Sequence, residues 1–105
     1  MSKYKVIVYV PVEEADKIRQ VMGEAGGCKI GNYDFCSFSV RGVGRFRPLA
    51  GANPTIGEVG KLEEVEEERI ETVVGEAYLK DLIERVRAAH PYEEPVINVT
   101  KLHEI

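Results

Sequence analysis

The sequence contains no tryptophan, only two cysteines and only two histidines, and each shortage argues against a class of protein. Cys28 and Cys36 are too few for a disulfide-rich domain, which has several cysteine pairs, and for a closed structural zinc site built from cysteines. With His90 and His103 as the only imidazoles, a serine or cysteine nucleophile has few candidate bases. The sequence therefore argues against a nucleophilic hydrolase and against a cysteine-framework domain.

Long apolar runs and an excess of basic residues are also missing. No stretch approaches the length of a membrane span, and the first residues carry no signal-peptide core. Lys and Arg number 14 against 18 Asp and Glu, a formal charge of −4, whereas nucleic-acid binding needs a basic face. We expect a cytoplasmic chain with free thiols, and neither a membrane nor a nucleic acid as its partner.

The first half of the chain predicts a strand, a helix and a second strand. Residues 4–10 are rich in β-branched and aromatic types, and apolar residues on both faces predict a central strand. A helix is predicted from about residue 13, because apolar residues recur at helical spacing until Gly26-Gly27. Residues 33–40 predict a half-buried strand. Its buried face would carry Cys36, Phe38 and Val40.

The second half begins with an irregular segment, residues 42–61, which is rich in glycine and proline and predicts a long loop. Glutamates dominate residues 63–68, and a solvated strand edge explains this better than a cation site. Residues 70–74 predict a strand that pairs with the preceding one. A second helix is predicted over 78–89, and a final strand over 96–102.

The resulting order is strand, helix, strand, strand, helix, strand, within a single domain over residues 1–105. Two strand–helix–strand units of this kind form a four-stranded antiparallel sheet with both helices on one face. The sequence therefore predicts the α+β ferredoxin-like fold. Along the first strand, Tyr4, Val6, Val8 and Val10 alternate with Ile7 and Tyr9, so one of these two apolar sets would meet water in a monomer. Packing several copies together would cover it, which predicts a homo-oligomer.

The irregular segment carries the first candidate binding residues. Gly42 to Arg47 begins like a dinucleotide-binding turn but lacks the third glycine. What remains is a glycine-rich stretch with Arg45 and Arg47 beside Phe46, where guanidinium groups and backbone amides are suited to recognise an anion. The alternative is that these arginines only solvate a mobile loop.

The second cluster is the hexapeptide His90-Pro91-Tyr92-Glu93-Glu94-Pro95, which we call the corner. Its prolines end the preceding helix and stiffen the connection to the last strand. His90, Glu93 and Glu94 offer an imidazole and two carboxylates, which suit a divalent metal such as copper or zinc. Tyr92 offers a ligand contact. The alternative is a rigid corner whose polar groups cap the backbone.

Taken in order, a set of motifs resembles one known domain, and the resemblance covers essentially the whole chain. The motifs are Gly44-Arg45-Phe46-Arg47-Pro48-Leu49, Gly51-Ala52-Asn53-Pro54, Ile56-Gly57, Gly60-Lys61, Glu68-Arg69 and the corner. They resemble the domain inserted in bacterial members of the NIF-three-like dinuclear-metal protein family, here standing alone as in the short YqfO-type proteins. The dinuclear centre of that family lies in the flanking halves, so the resemblance implies neither that centre nor a hydrolase activity.

The corner also resembles the CutA family, whose members are trimeric ferredoxin-like proteins related in architecture to the PII signalling proteins. This resemblance implies a CutA/PII-like fold and a homotrimer. CutA-like proteins are linked to divalent cations, so the resemblance also implies that His90 binds such a cation. We therefore expect a non-catalytic, oligomeric binding or regulatory module that senses a divalent metal or a small anionic ligand in an intersubunit cleft. Two alternatives stay open: a small enzyme with His90 as acid or base, and a scaffold that docks another protein.

Overall fold

The computed structural model describes residues 2–27 and 29–103, so Cys28, one of the two predicted free thiols, lies outside the described residues. The elements are strand β1 (Lys3–Pro11), helix α1 (Ala15–Glu24), strands β2 (Phe38–Phe46) and β3 (Glu63–Gly75), helix α2 (Glu76–Ala89) and strand β4 (Ile97–Lys101). A short 3-10 turn, Val12–Glu14, joins β1 to α1. No helix within the described ranges is long and apolar enough to cross a membrane.

The four strands form one antiparallel sheet in the order β2-β3-β1-β4. β1 is an inner strand, as predicted, and pairs with β3 from Lys3 opposite Gly75 to Pro11 opposite Glu67. On its other side it pairs with β4. With both helices packed on one face of this sheet, the predicted α+β ferredoxin-like fold is confirmed.

The core lies between the helices and one face of the sheet. Side chains alternate between the two faces of a strand, so Val6, Val8 and Val10 of β1 share the helix-covered face, and all three are 0% exposed. Burial of this apolar surface supplies the main driving force for folding. The same core contains Ile18 and Met22 of α1, Ile70 and Val74 of β3, and Leu82 and Val86 of α2.

β2 begins at Phe38 rather than at residue 33, and its predicted buried face is wrong. Phe35 leaves the extended conformation with a φ of 56°, and its ring occupies the space beside Gly23. Phe38 and Val40 face the side of the sheet that no helix covers, and they are 62% and 42% exposed. Cys36 precedes the strand and is half-buried. We call this side of the sheet the uncovered face.

β2 also continues through Gly42 and Gly44, so the loop begins at residue 47 rather than 42. Pairing with β3 holds the two glycines extended despite their low strand propensity. β3 is likewise an inner strand along much of its length. Glu64 and Glu66 are exposed, but Glu67 and Glu68 lie between β2 and β1 and are buried. The predicted solvated edge is therefore wrong for these two glutamates.

Candidate functional site

The loop that follows β2 packs against the corner that follows α2. The Thr55 hydroxyl donates to the carbonyl oxygen of Pro91 at 2.6 Å. The backbone N–H of Asn53 donates to Oε1 of Glu93 at 3.1 Å. The two connectors that the sequence singled out therefore meet within one chain, although they are far apart in sequence.

A cavity of about 580 Å³ lies between these connectors and the uncovered face of the sheet. Arg45, Phe46, Arg47 and Tyr92, the four residues for which the sequence predicts ligand contacts, all line it. Its volume falls within the range of about 300–1,000 Å³ that is typical of small-molecule sites. The fold thus brings the predicted ligand residues together.

The walls of this cavity are largely apolar. The rings of Phe46 and Tyr92 meet edge to face, with centroids 6.1 Å apart and planes at 60°. Pro48, Pro54 and Ile56 of the loop complete the apolar lining. Flat aromatic surfaces of this kind favour contact with another planar ring.

The two arginines differ in their availability to a ligand. Nε of Arg45 lies 3.4 Å from Oε1 of Glu64 on the neighbouring strand, and both side chains are exposed. Arg47 is exposed beside the cavity, and in the described part of the chain it forms no salt bridge. Arg47 is therefore the cation that the cavity can offer to an anion.

His90 is buried at the corner, where both of its ring nitrogens have backbone partners. Nε2 lies 2.7 Å from the carbonyl oxygen of Tyr9, and the N–H of Tyr92 donates to Nδ1 at 3.1 Å. Because Nδ1 accepts a hydrogen bond, Nε2 is the ring nitrogen that donates, to the carbonyl oxygen of Tyr9. This arrangement favours the interpretation of a rigid corner that caps the backbone. A role in proton transfer would require one of these bonds to open.

The predicted metal ligands His90, Glu93 and Glu94 do not converge within one chain. No group of three His, Cys, Asp or Glu side chains within residues 2–27 and 29–103 is arranged to hold a metal ion. Glu93 and Glu94 are exposed, whereas His90 is directed inward at Tyr9. A metal at these residues stays a prediction, and it needs ligands from a second copy of the chain.

Glu67 is the candidate residue that the sequence did not reveal. Its side chain lines the cavity, yet the residue is only 8% exposed. The hydroxyl of Tyr92 donates to its Oε2 at 2.9 Å. Burial, and then the Glu67 carboxylate, raise the pKa of Tyr92, so the phenol remains protonated and keeps donating.

Gly44 provides the space that this carboxylate occupies. A Cβ at position 44 would lie 1.9 Å from Oε1 of Glu67, so only glycine fits without moving the acid. Gly42 lies on the same face of β2, and a Cβ there would meet nothing within 4 Å. Glycine inside a strand often marks a close approach. Gly44 thus indicates that some group approaches this strand closely, but it does not identify Glu67 as that group.

Several proteins of known sequence that match this chain are named GTP cyclohydrolase 1 type 2 homolog. No family model matches the chain. The one from Halalkalibacterium halodurans is 44% identical over 101 residues, which is 96% of this chain and 27% of that protein. The one from Bacillus subtilis is 46% identical over 95 residues, 90% of this chain and 26% of that protein. The chain thus spans about a quarter of the length of these relatives.

Two solved structures extend the comparison. A Bacillus cereus protein related to NIF3 superimposes with a TM-score of 0.85 and 41% identity, covering 98% of this chain and 26% of that one. CutA1 from Pyrococcus horikoshii gives a TM-score of 0.70 at 19% identity, covering 97% of this chain and 85% of that one. At such low identity the second likeness shows the fold alone.

These findings define the chain first as a small α+β domain of the CutA-like, ferredoxin-like type. More particularly, it is a small domain that resembles the inserted domain of NIF3 proteins. The resemblance predicted from the ordered motifs is confirmed.

Proposed function

We propose that this chain is a non-catalytic binding or regulatory module whose ligand occupies the cavity between the loop and the corner. The observation that carries this proposal is the convergence of Arg45, Phe46, Arg47 and Tyr92 on one cavity. The loop is fastened to the corner by the Asn53 and Thr55 hydrogen bonds, so the cavity is preformed. A preformed cavity reduces the ordering cost of binding.

The chemistry of the cavity supports binding rather than catalysis. Catalysis by a nucleophile or a general base requires a reactive atom within hydrogen-bond reach of the substrate. No serine, cysteine or lysine is found among the described lining residues. The Thr55 hydroxyl donates to a backbone carbonyl, and both nitrogens of His90 are engaged. Among the described lining residues there is therefore no evident nucleophile, and the carboxylates of Glu67, Glu93 and Glu94 are the groups that could exchange a proton with a ligand.

Arg47 supports a small ligand that carries an anionic group. We would titrate the ¹⁵N-labelled chain with inorganic phosphate, common nucleotides, and copper, zinc and nickel salts. An anionic ligand should shift the amide signals of Gly44, Phe46 and Asn53. Arg47→Gln should weaken its binding, whereas Arg87→Gln, which removes an exposed arginine from α2, should not. An absence of shifts at cavity residues at millimolar concentrations of every probe would refute the binding site.

We further propose that the module assembles as a homotrimer. The uncovered face carries half-exposed Ile7 and Tyr9 and exposed Phe38 and Val40, and the edge strands β2 and β4 are open to further pairing. Metal binding by Glu93 or Glu94 depends on this assembly, since several copies would have to supply the ligands. Light scattering should give three times the chain mass, and a monomer at micromolar concentration would refute both ideas.

A further inference from the structure

Glu67 is a buried carboxylate whose charge no cation of the described chain neutralises. Burial of an isolated carboxylate is costly unless it is paired and hydrogen-bonded. The adjacent Glu68 has Arg19 and Arg41 within salt-bridge distance. Within residues 2–27 and 29–103, by contrast, the hydroxyl of Tyr92 is the hydrogen-bond partner of Glu67, and no salt bridge reaches it.

The second oxygen of this carboxylate is open to the uncovered face of the sheet, where the cavity lies. Oε2 accepts from Tyr92, whereas Oε1 lies over Gly44 and takes no hydrogen bond in the described part of the chain. No buried side-chain nitrogen or oxygen of the described residues lacks a hydrogen-bond partner. Oε1 is therefore not sealed off. Glu67 lines the cavity and also a second space of about 230 Å³ beside Gly42 and Arg69, and both lie on the uncovered face.

We propose that Glu67 recognises an N–H donor on the ligand, and that the ligand is a planar ring compound with an amide, amidine or ammonium group. This inference rests on the proposed cavity site and specifies its ligand class. The carboxylate accepts the N–H, and a charge-assisted hydrogen bond to a group that is only 8% exposed is stronger than one between neutral groups. The rings of Phe46 and Tyr92 supply the flat apolar walls against which the ligand ring packs.

Arg47 and Glu67 give the cavity opposite charges on two of its walls. Arg47 belongs to the loop, whereas Glu67 belongs to β3 on the floor formed by the sheet. A ligand with an N–H donor on its ring and an anionic substituent satisfies both. A bare anion satisfies only Arg47 and leaves Glu67 without a second partner.

Benzamidine and benzoate provide matched probes, because they share a benzene ring and differ in the sign of the polar group. We expect benzamidine to shift the amide signals of Gly44 and Tyr92, and to bind at least about tenfold more tightly than benzoate, as expected for a hydrogen bond to a charged group. Glu67→Gln should weaken benzamidine binding at least about tenfold. Glu66→Gln makes the same charge change at an exposed neighbour outside the cavity and should leave it unaltered.

The possible results separate this inference from the proposal on which it rests. Benzamidine binding that Glu67→Gln leaves unaffected would overturn the inference, whether or not benzoate binds equally, because the exposed Glu93 and Glu94 also line the cavity. It would still leave the cavity as a binding site. If benzamidine, benzoate, phosphate, the nucleotides and the metal salts all fail to bind, both the inference about Glu67 and the proposed binding site are overturned. A fall in oligomer mass with Glu67→Gln would mean that the carboxylate serves a subunit contact, which also overturns the inference. Should the glutamine variant fail to fold, Glu67→Asp keeps the charge but shortens its reach, and is expected to weaken benzamidine binding.

Discussion

Glu67 and Glu68 are neighbours on β3, both are buried, and they face opposite sides of the sheet. Glu68 lies on the helix-covered side, where Arg19 of α1 donates to Oε1 and Arg41 lies 3.8 Å from Oε2. Glu67 lies on the uncovered side, where its partner in the described part of the chain is the hydroxyl of Tyr92. One face therefore neutralises its buried charge within the chain, whereas the other leaves a carboxylate available to a partner.

The difference extends to the apolar residues of the two faces. The helix-covered face contains valines and isoleucines that are fully buried within one chain, whereas Phe38 of the uncovered face is 62% exposed. A face that is complete within one chain contributes stability to that chain. An incomplete face contributes little until something covers it, and the candidate site lies on that incomplete face.

The largest expected effect comes from removing a core side chain on the covered face. Ile70 is 0% exposed, and Ile70→Ala should lower the free energy of unfolding by about 2–5 kcal/mol through lost burial and a residual cavity. Phe38→Ala, on the uncovered face, should change it by less than about 0.5 kcal/mol where the chain is diluted to a monomer, and by more where the proposed homotrimer persists. Urea unfolding followed by circular dichroism measures both. A loss of comparable size with Phe38→Ala would mean that copies of the chain cover this face.

The two buried glutamates differ in whether a cation of the described chain compensates their charge, and one substitution at each site tests this difference. Arg19→Met leaves Glu68 with only the more distant Arg41, and we expect a loss of about 1.5–3 kcal/mol, the usual range for a hydrogen bond to a charged group. Glu67→Gln should cost less than about 1 kcal/mol, because glutamine can still accept from Tyr92. Chemical unfolding of both variants in one buffer makes the comparison. A larger loss with Glu67→Gln would refute the distinction between the two faces.

Gly44→Ala tests whether the position of Glu67 matters for binding. The new Cβ would collide with Oε1 of Glu67, so the carboxylate must shift, at a cost to stability of about 1 kcal/mol. Benzamidine binding should fall about tenfold or more, since a displaced carboxylate loses its charge-assisted hydrogen bond. Gly42→Ala is the matched control, because it adds the same methyl group to the same face of β2 where nothing lies within 4 Å. Equal effects of both substitutions on binding would contradict a role for Glu67.

The covered face could be predicted from sequence because local periodicity encodes it. Apolar residues alternate along β1 and recur at helical spacing along α2, and both patterns describe burial against the same core. The start of β2 could not be predicted in the same way. It depends on the ring of Phe35 packing beside Gly23 and on pairing with β3, which are contacts between segments distant in sequence.

The candidate site was predictable only in part for the same reason. Its two connectors are recognisable, because polar and aromatic residues with special backbone needs are concentrated there. Their meeting depends on the hydrogen bond from Thr55 to Pro91, which are 36 positions apart. The burial of Glu67 depends on Tyr92, 25 positions later. Among so many glutamates, no local pattern distinguishes the one that the fold will bury on the cavity side.

Tyr92 provides the smallest and most specific test of the uncovered face. Burial and the Glu67 carboxylate raise the pKa of Tyr92 in the folded chain above its ordinary value of 10.0. The unfolded chain therefore loses this proton at a lower pH than the folded chain does. The resulting stabilisation is fully present below the unfolded pKa and is lost as the pH rises through the folded pKa.

Tyr92→Phe removes both the hydrogen bond and this titration. The substitution should lower the free energy of unfolding by about 1 kcal/mol near pH 8, which is the usual net value of one hydrogen bond. The difference in the free energy of unfolding between the variant and the wild-type chain, called the gap below, should narrow above about pH 10. Urea unfolding at pH 8 and pH 10.5 measures the gap. Tyr78→Phe, at an exposed tyrosine of α2, should leave stability nearly unchanged at both values. A gap for Tyr92→Phe that stays constant across this range would mean that the hydroxyl is not held protonated by its surroundings. The contact between Tyr92 and Glu67 would then not constrain the carboxylate that the uncovered face offers to a ligand.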